Sequence, residues 1–256
     1  MSQNPTPTRI ELQPEEFSGK IKTGIGIVAP FDFALDEEYM HWLPADTPIF
    51  FTRTPSIQNK AVTIELAQEV SSEVAVGPAV GSLLAVQPAA IGYACTSGSF
   101  VGGLEGEKHL QQVMINAGAP AAVTTSGALI QALTALGVKK LSIATPYNES
   151  LTQLLADFLN EAGFTVVANG YLDMEENIAR VDTDAVKRMA KIVDHPEAEA
   201  IFFSCTNLHT FGVIEELESQ LDKPILSANQ VTVWASLRAG NLPMPDCNQR
   251  LFKIDS

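Results

Sequence analysis

Two cysteines stand in matched settings. Cys95, in "IGYACTSGSF" (91–100), closes an apolar run and is followed by Thr96, Ser97, Gly98 and Ser99. Cys205, in "IFFSCTNLHT" (201–210), closes a second apolar run and is followed by Thr206 and Asn207. A lone cysteine at the end of a strand is ordinarily a packed small hydrophobe. A matched pair, each before a polar turn and a helix start whose free amides favour a thiolate, reads instead as two reactive thiols. Thiols on opposite faces of a small molecule suit chemistry at carbon. One removes a proton or adds to a carbon, and the other supplies a proton from the far side. Neither task requires a cofactor. Charge developing on a substrate carboxylate would need donors, which Thr96, Ser97, the amides after them and a tyrosine hydroxyl could supply.

Residues so far apart in sequence meet only if the fold repeats itself. Short apolar runs alternate with longer amphipathic segments, the pattern of βα units around parallel sheets. Strands are expected at 25–29, 49–53, 89–94, 121–124, 141–145, 165–169, 200–204 and 225–228. Helices are expected near 61–75, 105–117, 127–136, 149–162, 183–194, 211–221 and 230–239. Three landmarks recur in order. "KTGIGIVAPFD" matches "KKLSIATPYNE", each leading through a strand to a proline and an aromatic residue, Phe31 or Tyr147. The cysteine strands come next, and then "APAAVTTSGALIQAL" matches "KPILSANQVTVWASL". This favours a pseudo-repeat of two α/β lobes. Residues 1–20 are expected as a flexible arm, 21–137 as the first lobe, 138–237 as the second, and 238–256 as a segment returning to the first. Ligands of open α/β sheets sit beyond the carboxyl ends of the strands, where both cysteines and both Pro-aromatic corners lie. One cleft between the lobes would collect them.

Bulk composition narrows the partners. The chain has 256 residues, 46% hydrophobic and 18% charged, and a net charge of −14. Such acidity opposes phosphate backbones and anionic lipid, so neither nucleic acid nor membrane is an expected partner. A small carboxylate is, held by amides and hydroxyls. Three cysteines without framework spacing, and no signal-peptide pattern, lead to the expectation of a cytoplasmic protein. His41, His109, His195 and His209 are scattered, so no metal is expected. A homodimer stays open.

"YACTSGSF", "IATPY", "SCTNLHT" and "SANQVTVWASL" together resemble the maleate cis-trans isomerase and arylmalonate decarboxylase branch of the aspartate/glutamate racemase superfamily, from Gly24 to about Leu237. The resemblance implies two pseudo-symmetric Rossmann-like lobes with mainly parallel sheets, no cofactor, and a carboxylate held between the cysteines. It makes Cys95 and Cys205 the catalytic pair and Thr96, Ser97 and Thr206 carboxylate-holding positions. Tyr147 looks like the tyrosine completing the cradle, and Asn229 matches an asparagine of the isomerase branch. Decarboxylases of this branch have glycine where Cys95 stands, which points toward an isomerase or racemase. The first corner departs from the isomerase pattern, reading Pro30-Phe31-Asp32-Phe33. Beside Pro30, Phe31 and Phe33 would make that wall apolar, and Asp32 would oppose a second carboxylate unless protonated or turned away.

The expected function is therefore a cofactor-independent isomerase of a small carboxylic acid. Amino-acid or hydroxy-acid racemisation or decarboxylation by the same pair is the alternative, and a non-catalytic two-lobed carboxylate binder is another. Thr124, Thr125 and Ser126 read as a helix cap, with an anion site as the functional option. His209 reads as a helix-start histidine that could instead tune Cys205, and Arg53 as a strand-end arginine that could instead face the cleft. Cys247 reads as incidental.

Overall fold

The computed structural model describes residues 8–17, 21–57 and 61–255. The remaining parts of the expected arm, 1–7 and 18–20, lie outside the described residues.

All eight expected strands form, and they divide into two parallel sheets. β1 (Ile25–Ala29), β2 (Ile49–Arg53), β3 (Ala90–Tyr93) and β4 (Ala122–Thr124) run in the order β2-β1-β3-β4. β5 (Lys140–Thr145), β6 (Thr165–Tyr171), β7 (Ala200–Phe203) and β8 (Ile225–Ser227) repeat it as β6-β5-β7-β8. Every residue of β1, β3 and β7 is buried, which is why these strands read as unbroken apolar runs. The registers correspond: Val28 lies opposite Tyr93, and Ala144 opposite Phe203. Cys95 and Cys205 consequently stand two residues beyond equivalent strand ends. The α/β architecture of two parallel-sheet lobes is as expected from the sequence.

The helices are α1 (Asp36–Met40), α2 (Ile64–Val70), α3 (Glu73–Leu83), α4 (Thr96–Phe100), α5 (Gly103–Asn116), α6 (Thr125–Ala135), α7 (Glu149–Glu161), α8 (Thr183–Val193), α9 (Phe211–Leu221) and α10 (Ala228–Ala239). Where one helix was expected at 61–75, two form, and the second continues through Gly77, Pro78 and Gly81. Burial of Val76, Ala79, Val80 and Leu83 against the first sheet overrides those weak helix formers. Side chains of Thr63, Thr124, Asn148, Asp182 and Ser227 each accept a backbone N–H at a helix start, worth about 1 kcal/mol apiece.

One apolar core runs through both lobes, from Ile25 and Ile27 through Leu141 and Ile143 to Phe202, Val233 and Trp234. α10 starts at the end of β8 yet packs on α6, β3 and β4. Gly92 makes this approach feasible, because a Cβ there would lie 2.8 Å from Ser236 Oγ. Beyond α10, Gln249 accepts from Trp42 Nε1 at 2.7 Å while Arg250 pairs with Asp222 on the other side at 2.7 Å. The tail thus touches both halves. No single helix among the described residues is long and apolar enough to cross a membrane.

Candidate active site

Each cysteine opens a turn that the local sequence shapes differently. Cys95 keeps an extended backbone and caps α4, its Sγ accepting the Gly98 N–H at 3.4 Å with Ser97 Oγ at 3.7 Å. Glycine is required at 98, since a Cβ would come 2.5 Å from the Tyr93 hydroxyl and 3.3 Å from Cys95 Sγ. Cys205 has φ 99°, a left-handed setting rare for a residue with a side chain and costing about 1–3 kcal/mol. Its Sγ accepts the Asn207 N–H at 3.4 Å. Strain of this kind persists only when the surroundings enforce it.

The enforcement comes from the other lobe. The Cys205 N–H donates to Thr96 Oγ1 at 3.3 Å, and Thr206 Oγ1 donates to the Ala94 carbonyl at 3.2 Å. Asn207 bonds the first corner, its Nδ2 donating to Asp32 O at 3.2 Å and its Oδ1 accepting from Ala34 N at 2.9 Å.

Between the turns lies a small pocket with a cavity volume of about 40 Å³. Pro30, Asp32, Cys95, Thr96, Ser97, Tyr147, Cys205, Thr206 and Asn207 form its polar side, and Val62, Leu66, Ala67, Val70 and Ile178 form an apolar wall. Two expected site residues are not brought there. Phe31 packs with the apolar cluster of the first lobe, and Asn229 is fully buried, bonded to Glu38 and to the Thr206 carbonyl. Phe33 likewise turns inward onto Tyr39 and Phe51, leaving Asp32 as the residue of that corner that follows Pro30 into the pocket. Sequence reasoning missed Asn207 as a wall residue, although its place two positions after Cys205 was a usable signal.

Burial pushes the Cys95 thiol up, the Gly98 amide and Ser97 hydroxyl oppose this, and the Asp32 carboxylate adds to it. Burial pushes Cys205 up to about 12, with smaller contributions in the same direction from Cys95 and Asp32. Tyr147 is also held well above its ordinary value, chiefly by burial, so its hydroxyl keeps its proton and can donate. Ser204 Oγ donates to it at 3.3 Å. Both thiols are therefore protonated at neutral pH.

The other candidates fall elsewhere. His209 Nε2 meets the Ala179 carbonyl at 3.0 Å, and Arg53 bonds Asp36 and the Phe33 carbonyl. Thr124 caps α6, while Thr125 and Ser126 bond inside the protein to Thr232 and Ser99, away from the pocket. Among the described residues no group of three or more His, Cys, Asp or Glu side chains could hold a metal ion.

Two thiols on matched turns of one pocket narrow the ancestry of the fold, and the arylmalonate decarboxylase family model matches residues 60–252. The chain belongs to the arylmalonate decarboxylase family. Within it, the maleate isomerase of Pseudomonas putida is 31% identical over 160 residues, covering 59% of this chain and 64% of that one. The arylmalonate decarboxylase of Bordetella bronchiseptica is 31% identical over 153 residues, 56% of this chain and 61% of its own. The chain thus matches less than two thirds of the length of either relative. In fold, this member of the arylmalonate decarboxylase family superposes on a Cys-to-Ser variant of Nocardia farcinica maleate cis-trans isomerase with a covalently bound succinylcysteine intermediate. The TM-score is 0.82 at 23% identity, over 91% of this chain and 99% of the other.

Proposed function

We propose that the protein is an isomerase of a small carboxylic acid that works by reversible addition of a cysteine to a carbon–carbon double bond. The observation carrying this reading is that Cys95 and Cys205, at equivalent strand ends of two lobes, line one pocket. Cys95 is the group that adds: it caps a helix, with the Gly98 N–H donating to its sulfur and the Ser97 hydroxyl beside it, whereas Cys205, held up to about 12, keeps a proton to give. As the Cys95 sulfur bonds one alkene carbon, the π electrons move to the other carbon, which takes the Cys205 proton. The proton of Cys95 passes to Cys205. The carbon–carbon bond, now single, rotates, and elimination reverses these steps to give the trans acid. Atoms and electrons balance without an oxidant, a reductant or an electron sink, so the reaction is cofactor-independent. Thr96, Ser97 and Tyr147 hold the carboxylate beside the reacting carbon. The covalently bound succinylcysteine intermediate of the Nocardia farcinica enzyme supports addition by a cysteine.

A second reading, proton transfer at an α-carbon by the same pair, is favoured by Asp32, whose carboxylate lines the pocket and opposes a second acidic group. Proton NMR of maleate with the purified protein in deuterated buffer tests the two. Fumarate without added cofactor supports isomerisation. Unchanged maleate beside folded protein overturns it for this substrate, and solvent deuterium entering the α-position of an amino or hydroxy acid supports racemisation.

A further inference from the structure

The carbonyl just beyond each cysteine is supported by a side chain from the helix that follows the next strand, through Ser99 in the first lobe and directly in the second. Ser99 Oγ donates to the Thr96 carbonyl at 2.8 Å and meets Ser126 Oγ at 2.7 Å, with Ser126 Oγ itself 3.3 Å from that carbonyl, and Asn229 Nδ2 donates to the Thr206 carbonyl at 3.0 Å. The positions correspond: Ser126 is two residues after the cap Thr124 of α6, and Asn229 two after the cap Ser227 of α10. Both side chains are fully buried and neither lines the pocket. What stands behind them differs. Ser126 works with a neutral hydroxyl of its own lobe, Ser99 Oγ, 2.7 Å away and itself donating to the Thr96 carbonyl. Asn229 donates to Glu38, a carboxylate from α1 on the first lobe. The other oxygen of Glu38 accepts the N–H groups of Thr210 and Phe211 at the start of α9, and the Thr210 hydroxyl at 3.2 Å.

We infer that Ser126 and Asn229 are paired positioning residues, one for each thiol, and that Glu38 makes the Asn229 clamp the firmer because it must hold the left-handed turn of Cys205. The difference in backing follows the difference in backbone. Cys95, extended at its own position, needs a hydroxyl relay, whereas Cys205 sits where a side chain is disfavoured and requires fixed groups on each side of it. Thr206 is held at two points, its hydroxyl by Ala94 and its carbonyl by Asn229. Asn207, whose amide meets Cys205 Sγ, follows directly. Removing the Asn229 clamp lets this turn relax and takes that amide from the sulfur. The loss of Ser126 leaves Ser99 on the Thr96 carbonyl but without its own support, so the Cys95 turn relaxes less.

The inference rests on both thiols being reactive groups of one pocket, and its test needs no turnover. Wild type, Ser126→Ala, Asn229→Ala and Glu38→Gln are alkylated with iodoacetamide at fixed alkaline pH, and the rate at each cysteine is read by peptide mass spectrometry. Asn229→Ala slows Cys205 about tenfold, the change of about one pKa unit that losing a donor to sulfur brings, with Cys95 within about twofold. Ser126→Ala slows Cys95 alone, and by less than Asn229→Ala slows Cys205, because Ser99 still donates to the Thr96 carbonyl. Glu38→Gln tests the backing with Asn229 intact. It presents an amide to an amide, donor against donor, and slows Cys205 alone even if Asn229→Ala fails to fold. Equal changes at both cysteines in each variant, or no change at either in folded protein, overturn the proposal. Activity on any acid is assayed separately: crossed alkylation rates without turnover would sink the functional reading and leave the clamps standing.

Discussion

The backbone N–H of Cys205 donates to Thr96 Oγ1 at 3.3 Å, so the threonine beside one thiol holds the backbone of the other. The return bond is of another kind, because Thr206 donates its hydroxyl proton to the Ala94 carbonyl. A hydroxyl has one proton to give. Thr96 accepts here and keeps its proton, which under the proposed function goes to the carboxylate, whereas Thr206 has already committed its own. Two threonines that look equivalent in sequence are thereby assigned unequal work.

Thr96→Val and Thr206→Val separate these roles. Thr206→Val leaves the buried Ala94 carbonyl without its donor and lowers stability by about 1–3 kcal/mol, seen as a fall in Tm, with KM nearly unchanged. Thr96→Val raises KM about tenfold or more, since a donor to a charged group is lost together with the acceptor for the Cys205 amide. Equal effects of the two on KM would refute the assignment.

Cys95→Ser and Cys205→Ser each lower turnover by about 10²–10⁴-fold, the usual contribution of a positioned nucleophile or proton donor. Intact-mass spectrometry after exposure to maleate distinguishes them. A covalent adduct forms in Cys205→Ser and is absent from Cys95→Ser. An adduct in both, or on Cys247, would contradict the order of steps.

Stability should fall as pH rises above about 8.5. Folded Cys205 holds its proton up to about 12, chiefly because it is buried, while an unfolded cysteine loses it near 8.5. Between those values the unfolded chain binds fewer protons than the folded one, so the slope of unfolding free energy against pH is negative. Tyr93 and Tyr147, both held up by burial, add to the decline above about pH 10. Cys205→Ser should flatten the Tm profile between pH 8.5 and 10, and a profile as steep as wild type would show that the thiol contributes nothing.

The strands were legible because β1, β3 and β7 are buried on both faces and bounded by turns, and the repeat of their registers carries the pairing of Cys95 with Cys205. α3 was not, because Gly77, Pro78 and Gly81 weigh against a helix locally and only contact with the sheet outweighs them. The site divided along the same line. Cys95, Thr96, Ser97, Cys205 and Thr206 belong to short motifs and could be read one after another. Asn229 could be singled out but not placed, since its partner Glu38 is 191 residues away and no local pattern links them. Asp32 was read as a pocket carboxylate and Phe31 as a wall. Alternation along an irregular corner does not say which side chain turns in, and Asn207 decides it by bonding the Asp32 carbonyl and the Ala34 amide.

Asp32 offers the sharpest test of substrate class. It lines the thiol pocket and also the adjoining outer pocket, where Glu175 and Glu176 stand. Its carboxylate contributes to raising both Cys95 and Cys205. Asp32→Asn keeps the size of the side chain and removes the charge, so both thiols become more acidic and both alkylate faster at a given pH, by less than tenfold because burial remains the main cause. The same change removes the repulsion that a second carboxylate meets. The kcat/KM for a dicarboxylate such as maleate should therefore rise about fivefold relative to a monocarboxylate of similar size, by order of magnitude for one like charge removed from a partly screened pocket. Faster alkylation with an unchanged ratio would mean that Asp32 tunes the thiols without selecting the substrate, and a ratio shifted toward the monocarboxylate would overturn the electrostatic argument.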